Sequence, residues 1–270
     1  MTTETLIQQR EAAFHDAWAK STRVEDVLVR ECFEAPTALE NQLILRLMGP
    51  LSGRSLLDVG AGLGESSVYF ALQGARVTVV DISPQMVETA LNLGKGHGVE
   101  LQGIVSSAED LNLPEAEYDI IYVANTIHHV QDRALLFERM SRALKPGGMF
   151  FSYDPLAYNP VINLYRRMAV EVRTPDESPL TARDIKLARK YFQRVQHREF
   201  WIATLLLFVK YYLIDGVHPS QDRYWKRILR ERAEHLRWWL PLRYLDRVLT
   251  RIPLVRWLAW NVVIWGEKTS

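Results

Sequence analysis

Asp58, Gly60, Gly62 and Gly64 fall in one short stretch, LLDVGAGLGESS, between an apolar run and a segment of helical character. A second apolar run, VTVVD, ends on Asp81. Glycines at alternate positions remove β-carbons, so the backbone can turn sharply and a ligand can come close. The two carboxylates narrow the ligand's chemistry. Asp81 is placed to accept hydrogen bonds from both hydroxyls of a ribose. Asp58 repels phosphate and suits a cationic or amino-bearing group, and G-x-G-x-G lacks the extra residue of the G-x-G-x-x-G dinucleotide turn. Further along, the doublet His128–His129 follows the run YDIIYVA, and Asp154 ends the run GGMFFSYD. An unperturbed imidazole titrates near pH 6.5, about where a general base is useful. Asp154 is placed either to orient a histidine, to bind an acceptor, or only to cap the loop before Pro155.

Those residues need a scaffold that gathers strand ends. Over 55–155, the short apolar runs SLLDV, RVTVVD, VELQGIVSS, YDIIYVA and GGMFFSYD read as strands. The segments ESSVYFALQ, SPQMVETALNLGKG and RALLFERMSRAL between them read as helices, and LKPGG as a helix end followed by a turn. Continuous apolar strands alternating with helices predict an open α/β sheet, largely parallel and covered on both faces. Ligands of such sheets sit beyond the carboxyl ends of the strands, where the glycine turn lies. Residues 1–50 read as helices, from the spacing of Phe14, Trp18, Val24, Val27, Leu28, Leu43 and Leu47.

Composition removes several classes. With 33 Lys and Arg against 32 Asp and Glu, a dedicated nucleic-acid binder is disfavoured. The single cysteine, Cys32, excludes a disulfide framework and a cysteine-rich zinc site, and no metal is expected. The polar start MTTETLIQQREAAFHD does not read as a signal peptide, and WIATLLLFVKYYLI is broken by Lys210, too short to span a bilayer. A cytoplasmic location is the expectation, with peripheral contact at a membrane as an addition to it.

Taken as a set, LLDVGAGLGESS, VTVVDISPQMVETA, SSAEDLNLP, YDIIYVANTIHHV and RALKPGGMFF resemble the class I S-adenosylmethionine (SAM)-dependent methyltransferases, small-molecule branch. The resemblance covers 55–155 and implies a Rossmann-like, mostly parallel sheet of about seven strands with an antiparallel last strand. It implies SAM as cofactor and S-adenosylhomocysteine as product. Within the glycine turn, Gly60, Ala61 and Gly62 would pass beside the methionine part, with Gly64 completing the turn. Asp58 would support the turn and the ammonium, and Asp81 would hold the ribose. Ile82 and Met86 would line the adenine; Ser107, Ala108 and Glu109 form the adenine-edge segment, with Ser107 standing where the family often has Asp. Asn125 corresponds to the backbone that faces the methionine and the sulfonium. Methyl transfer to a hydroxyl needs in-line placement, exclusion of water and a destination for the proton. His128 or His129 fits that last role, so activity is expected to fall as pH drops through the histidine range.

The rest of the chain should select the acceptor. The segment 156–181, with Tyr158, Tyr165 and Arg173, reads as a loop and helix on the acceptor side, joined by Phe14 and Trp18 from the N-terminal lid. FQRVQHREFW reads as a sixth strand and the last strand falls in 257–268, leaving a long insertion, 202–254, between them. From His218 to Arg256 that insertion carries ten Lys/Arg against four Asp/Glu, interleaved with tryptophans. It reads as basic amphipathic helices interrupted at Pro241 and Pro253: a helical cap over a lipophilic acceptor, or a surface for anionic membrane through 218–256. The expected function is methyl transfer to a lipophilic small molecule or lipid, at oxygen, within one methyltransferase unit spanning 1–270 whose cofactor-binding core is 51–155. Alternatives are transfer to nitrogen or carbon of a natural product, transfer to RNA or protein, and a non-catalytic SAM-binding protein.

Overall fold

The computed structural model describes residues 3–269. Seven strands form one sheet: β1 (Ser55–Val59), β2 (Arg76–Asp81), β3 (Leu101–Val105), β4 (Tyr118–Ala124), β5 (Leu144–Pro155), β6 (Gln193–Phe200) and β7 (Asn261–Glu267). Their order is β3-β2-β1-β4-β5-β7-β6. The first five run parallel, and β7 inserts antiparallel between β5 and β6. Every residue of β1 is buried, as expected of a central strand covered on both faces, whereas β3 at the edge is largely open.

Helices α4 (Glu65–Leu72), α5 (Pro84–Gly96) and α6 (Arg133–Ala143) join the first five strands; the one-turn α2 (Glu31–Glu34) precedes the sheet and α8 (Ala182–Ala188) leads into β6. Local chemistry fixes two of their starts. Ser83 accepts the Met86 N–H with Pro84 in the first turn, and Asp132 accepts the Leu135 N–H. The LKPGG segment does end α6, but its turn lies inside the span of β5, where the pairing with β4 shifts register between Tyr118 and Ile120. One face of the sheet packs on α6 through Leu136, Phe137 and Met140. The other packs on α4, α5 and α3 (Leu39–Met48) through Val68, Phe70, Ala90 and Ile44.

Strand order reverses between β1 and β4, because the chain moves outward to β3 and then returns past β1. A crevice opens there at the carboxyl ends. The long helix α1 (Thr3–Ser21) roofs it, resting on α5. Asp16 accepts hydrogen bonds from the Ser83 hydroxyl and, at 3.3 Å, the Gln85 N–H. A short 3-10 turn, Val24–Asp26, replaces the helix expected around Val24, which stays exposed.

The stretch after β6 divides into two parts. Short helices α9 (Leu206–Leu213) and α10 (Tyr224–Arg227), with the turns around them, build a third core. Trp201, Phe208, Tyr211, Tyr224, Leu236 and Trp239 pack there against Ile162 and Tyr165 of α7 (Pro160–Met168). The final helix α11 (Leu240–Leu249), opened rather than broken by Pro241, buries only Asp246. That carboxylate accepts the N–H groups of Ile202 and Ala203, pinning α11 to the start of the 203–205 turn. Tyr244, Leu245, Val248, Ile252 and Leu254 remain exposed. The insertion thus contributes a buried core as far as Trp239, although Leu206, Leu213 and Ile214 stay exposed, and it is largely open beyond it.

Candidate active site

A cavity of about 280 Å³ occupies the crevice under α1. The glycine turn forms its floor. Gly60 has φ +72°, and a β-carbon there would lie 2.0 Å from Thr126 Oγ1, so only glycine lets the turn close on the loop after β4. Gly62 differs: its φ is +56°, and a β-carbon would meet nothing within 4 Å, only the open cavity. Gly64 does not line the cavity; a β-carbon there would strike Ala90 of α5, so its task is helix packing.

Two carboxylates end the neighbouring strands. Asp58 is buried and accepts the Ser67 hydroxyl at 2.6 Å. Burial pushes its carboxyl up to about 7 against that hydrogen bond, with the charge of Asp81 adding to the rise. An ammonium arriving beside it would restore the carboxylate. Asp81 accepts the Gly62 N–H on Oδ2 and the Ser83 N–H on Oδ1, each at 2.9 Å. It therefore ties the glycine turn to the start of α5, and each oxygen keeps a lone pair for a ligand hydroxyl.

Ile82, Ser107, Ala108, Glu109 and Asn125 line the same cavity. Ser107 Oγ accepts the Asp110 N–H and donates to its carboxylate, so this residue shapes its own turn. Glu109 accepts the Gln131 N–H at 2.8 Å and ties that turn to the loop after β4. Asn125 takes a left-handed conformation, φ +52°, while its N–H bonds the Tyr153 carbonyl. Met86 does not reach the cavity: it is wholly buried beneath, against Leu63 and Ala19.

The histidine doublet splits into two environments. His128 is buried, and its Nδ1 lies 2.7 Å from Asp154 Oδ1. The same oxygen accepts the His128 backbone N–H at 3.1 Å, so it faces both groups as an acceptor. Nδ1 then carries the proton, and Nε2 is left with a free lone pair. Burial holds this imidazole well below the usual histidine range, aided by the charges of His129, Arg173, Arg166 and Arg133. The same burial raises the Asp154 carboxyl above its ordinary range, and because burial disfavours the imidazolium the acid limb expected from the sequence moves to lower pH. His129 turns the other way, its Nδ1 3.3 Å from Glu11 Oε2. Glu11 comes from α1, as does His15 one turn on, whose Nε2 lies 3.5 Å from the same oxygen. Although burial alone would raise it, the contacts with His129 and His15 hold Glu11 well below the usual carboxylate range.

Neither Glu11 nor His15 stood out in the sequence. The signal was present as a Glu and a His four residues apart, flanking Phe14, on the face that carries Trp18. Among the expected acceptor residues, Phe14, Trp18 and Arg173 do line the cavity. Arg223 stacks over the Trp18 ring at 4.2 Å, so the insertion and the lid meet there. Tyr158 and Tyr165 do not line it. Tyr158 is largely exposed beside Trp257, and Tyr165 is buried between Phe208 and Tyr224, because its ring completes the third core. In their place Trp225, Ile228 and Leu229 close the cavity from the insertion.

Residues 57–152 match the methyltransferase domain family. A ubiquinone biosynthesis O-methyltransferase from Xylella fastidiosa is 37% identical over 103 residues, 38% of this chain and 42% of the relative. Phosphoethanolamine N-methyltransferase 1 from Arabidopsis thaliana is 34% identical over 103 residues, 38% of this chain and 21% of that protein. The chain thus matches less than half the length of either relative. The solved structure of Haemonchus contortus phosphoethanolamine N-methyltransferase 2 in complex with SAM has the same fold, with a TM-score of 0.59 and 19% identity over 95% of this chain and 60% of that one. The matched stretch runs from β1 into β5 and contains both strand-end carboxylates, the glycine turn and the histidine doublet, so residues 57–152 of this chain carry a methyltransferase domain.

Proposed function

We propose that this chain transfers a methyl group from SAM to a hydroxyl of a lipophilic small molecule, with His128 taking the proton. The observation that carries this reading is His128, which lines the cavity while the buried Asp154 behind it holds its Nδ1. The residues present fit SAM: the cavity is open where Gly62 lacks a side chain, Asp58 awaits a cation, and Asp81 has lone pairs to offer. Bound SAM supplies an electrophilic methyl group on a sulfonium. Asp154 fixes the His128 ring in the Nδ1–H tautomer. Nε2 accepts the acceptor's hydroxyl proton, and the carboxylate beside Nδ1 stabilises the resulting imidazolium. Phe14, Trp18, Trp225 and Leu229 supply apolar walls that exclude water from the reacting groups.

Calorimetry provides the first test. SAM is expected to bind in the micromolar range, with little affinity for NAD. Asp81→Ala removes a charged hydrogen-bonding partner worth about 1.5–3 kcal/mol, roughly a ten- to hundredfold loss of SAM affinity. Unchanged affinity in that variant would remove Asp81 from the site. Radiolabelled methyl transfer to a panel of phenolic, amine and carbon nucleophiles then separates oxygen from nitrogen or carbon acceptors.

A second element of the proposal is contact with anionic membrane through α11. Tyr244, Leu245 and Val248 face solvent on a helix that also carries Arg243 and Arg247, with Arg251 following. Apolar and basic side chains exposed together suit the interface of an anionic bilayer. Among the described residues no helix is long and apolar enough to cross a membrane. The protein is expected to co-sediment with anionic vesicles, less so at high salt, and Leu245→Glu/Val248→Glu should abolish it. Equal recovery from neutral and anionic vesicles would overturn this element without touching the chemistry.

A further inference from the structure

The geometry points to a divalent metal site of the zinc class formed by Glu11, His15 and His129 at the roof of the cavity. One ligand atom from each residue lies within 4.8 Å of the other two. Glu11 Oε2 is 3.3 Å from His129 Nδ1 and 3.5 Å from His15 Nε2. A tetrahedral ion with bonds of about 2.0–2.2 Å holds its ligand atoms roughly 3.3–3.6 Å apart, so the observed separations are those of neighbouring ligands.

The polar atoms of this group find no adequate partners among the described residues. Glu11 is only 6% exposed, yet both its carboxylate oxygens are buried without a hydrogen bond, and so is His129 Nδ1. Buried polar atoms are nearly always paired, and a carboxylate left between two imidazoles just beyond good bonding distance is costly. An ion between them satisfies all three groups at once. Two imidazoles and one carboxylate select Zn²⁺, Co²⁺ or Fe²⁺ over Mg²⁺ or Ca²⁺, which prefer all-oxygen sites. Three protein ligands leave a coordination position for water or for an oxygen of the acceptor.

Glu11 and His15 reach His129 only because α1 is docked, so the ion would also fasten the lid across the strand ends. The Glu11–His15 spacing alone does not announce the site, because the third ligand, His129, comes from the turn after β4. The inference does not depend on methyl transfer, and its test needs neither SAM nor acceptor.

The full chain, stripped with chelator and dialysed, is titrated with Co²⁺ and then with Zn²⁺. The expected result is one equivalent of Co²⁺ with the intense visible bands of a four- or five-coordinate ion, displaced by Zn²⁺ and not by Mg²⁺. Glu11→Gln and His15→Ala should each weaken binding at least tenfold, with circular dichroism confirming that each variant is folded. Should one variant fail to fold, the other carries the test. A pale six-coordinate cobalt spectrum, or equal affinity in wild type and the folded variant, overturns the site. SAM calorimetry on the same preparation reports separately on the methyltransferase reading.

Discussion

Replacing His128 with alanine is expected to lower kcat by about two to four orders of magnitude, the range spanned by a general base. SAM affinity should change little, because the groups proposed to hold the cofactor lie on the glycine turn and Asp81, while His128 is held from the other side by Asp154. Asp154→Asn should share most of that loss, since an amide no longer stabilises an imidazolium at Nδ1. The double variant should be little worse than either single one, as residues acting as one unit are far from additive. The pH profile has a definite sign. Only neutral imidazole accepts a proton, and burial together with the neighbouring cations lowers the His128 pKa. Activity should therefore hold through neutrality and decline only below the ordinary histidine value of about 6.5. A His128→Ala protein with full turnover, or a wild-type profile that falls already above pH 7, would leave positioning alone to explain transfer.

Trp239→Ala should destabilise the protein by roughly 3–5 kcal/mol, the usual cost of emptying a buried large aromatic site. The Trp239 ring is fully buried, lies 5.5 Å from Trp201, and donates its Nε1–H to the Thr204 carbonyl at 3.1 Å. The variant thus leaves a cavity in the third core and removes a buried hydrogen bond to the Thr204 carbonyl. Its neighbour gives the control. Trp238 is 43% exposed, and Trp238→Ala should fall within about 0.5 kcal/mol of wild type. Denaturant melts of the two variants read the difference directly. Equal midpoints would show that the insertion is not integrated with the acceptor-side helix, contrary to the packing of Trp239, Phe208 and Tyr165 in one cluster.

The sheet was legible because its residues obey local rules. SLLDV, RVTVVD and YDIIYVA are continuous apolar runs that only a doubly covered parallel strand can bury, and their helices begin on side-chain caps such as Ser83 and Asp132. The glycine turn and the carboxylates of Asp58 and Asp81 were legible for the same reason: a backbone conformation and a strand end are nearly local properties. Gly64 and Met86 escaped that logic. Their types fit a ligand site, yet Gly64 serves the packing of α4 against α5 and Met86 the packing of α5 beneath α1, and nothing in the local pattern distinguishes these uses from ligand binding.

What lay beyond the sequence depends on where distant segments meet. Tyr165 has the composition of a pocket residue, but three-dimensional packing assigns its ring to a core with Phe208 and Tyr224. The tryptophan-rich insertion reads as one basic amphipathic tract, and only the tertiary structure divides it at Trp239 into a buried cap and an exposed helix pinned by Asp246. The histidine doublet suggested a proton acceptor by residue type alone, a role that remains a proposal. Which imidazole faces Asp154 and which faces Glu11 follows from β5 lying beside β4 and α1 folding back across the crevice. Periodicity and turn chemistry are written in neighbouring residues, so the sequence by itself determined the strands, the glycine turn and the type of chemistry. Burial, pairing and charge environment arise between segments far apart in the chain, so the division of labour within the site was decided by the tertiary structure.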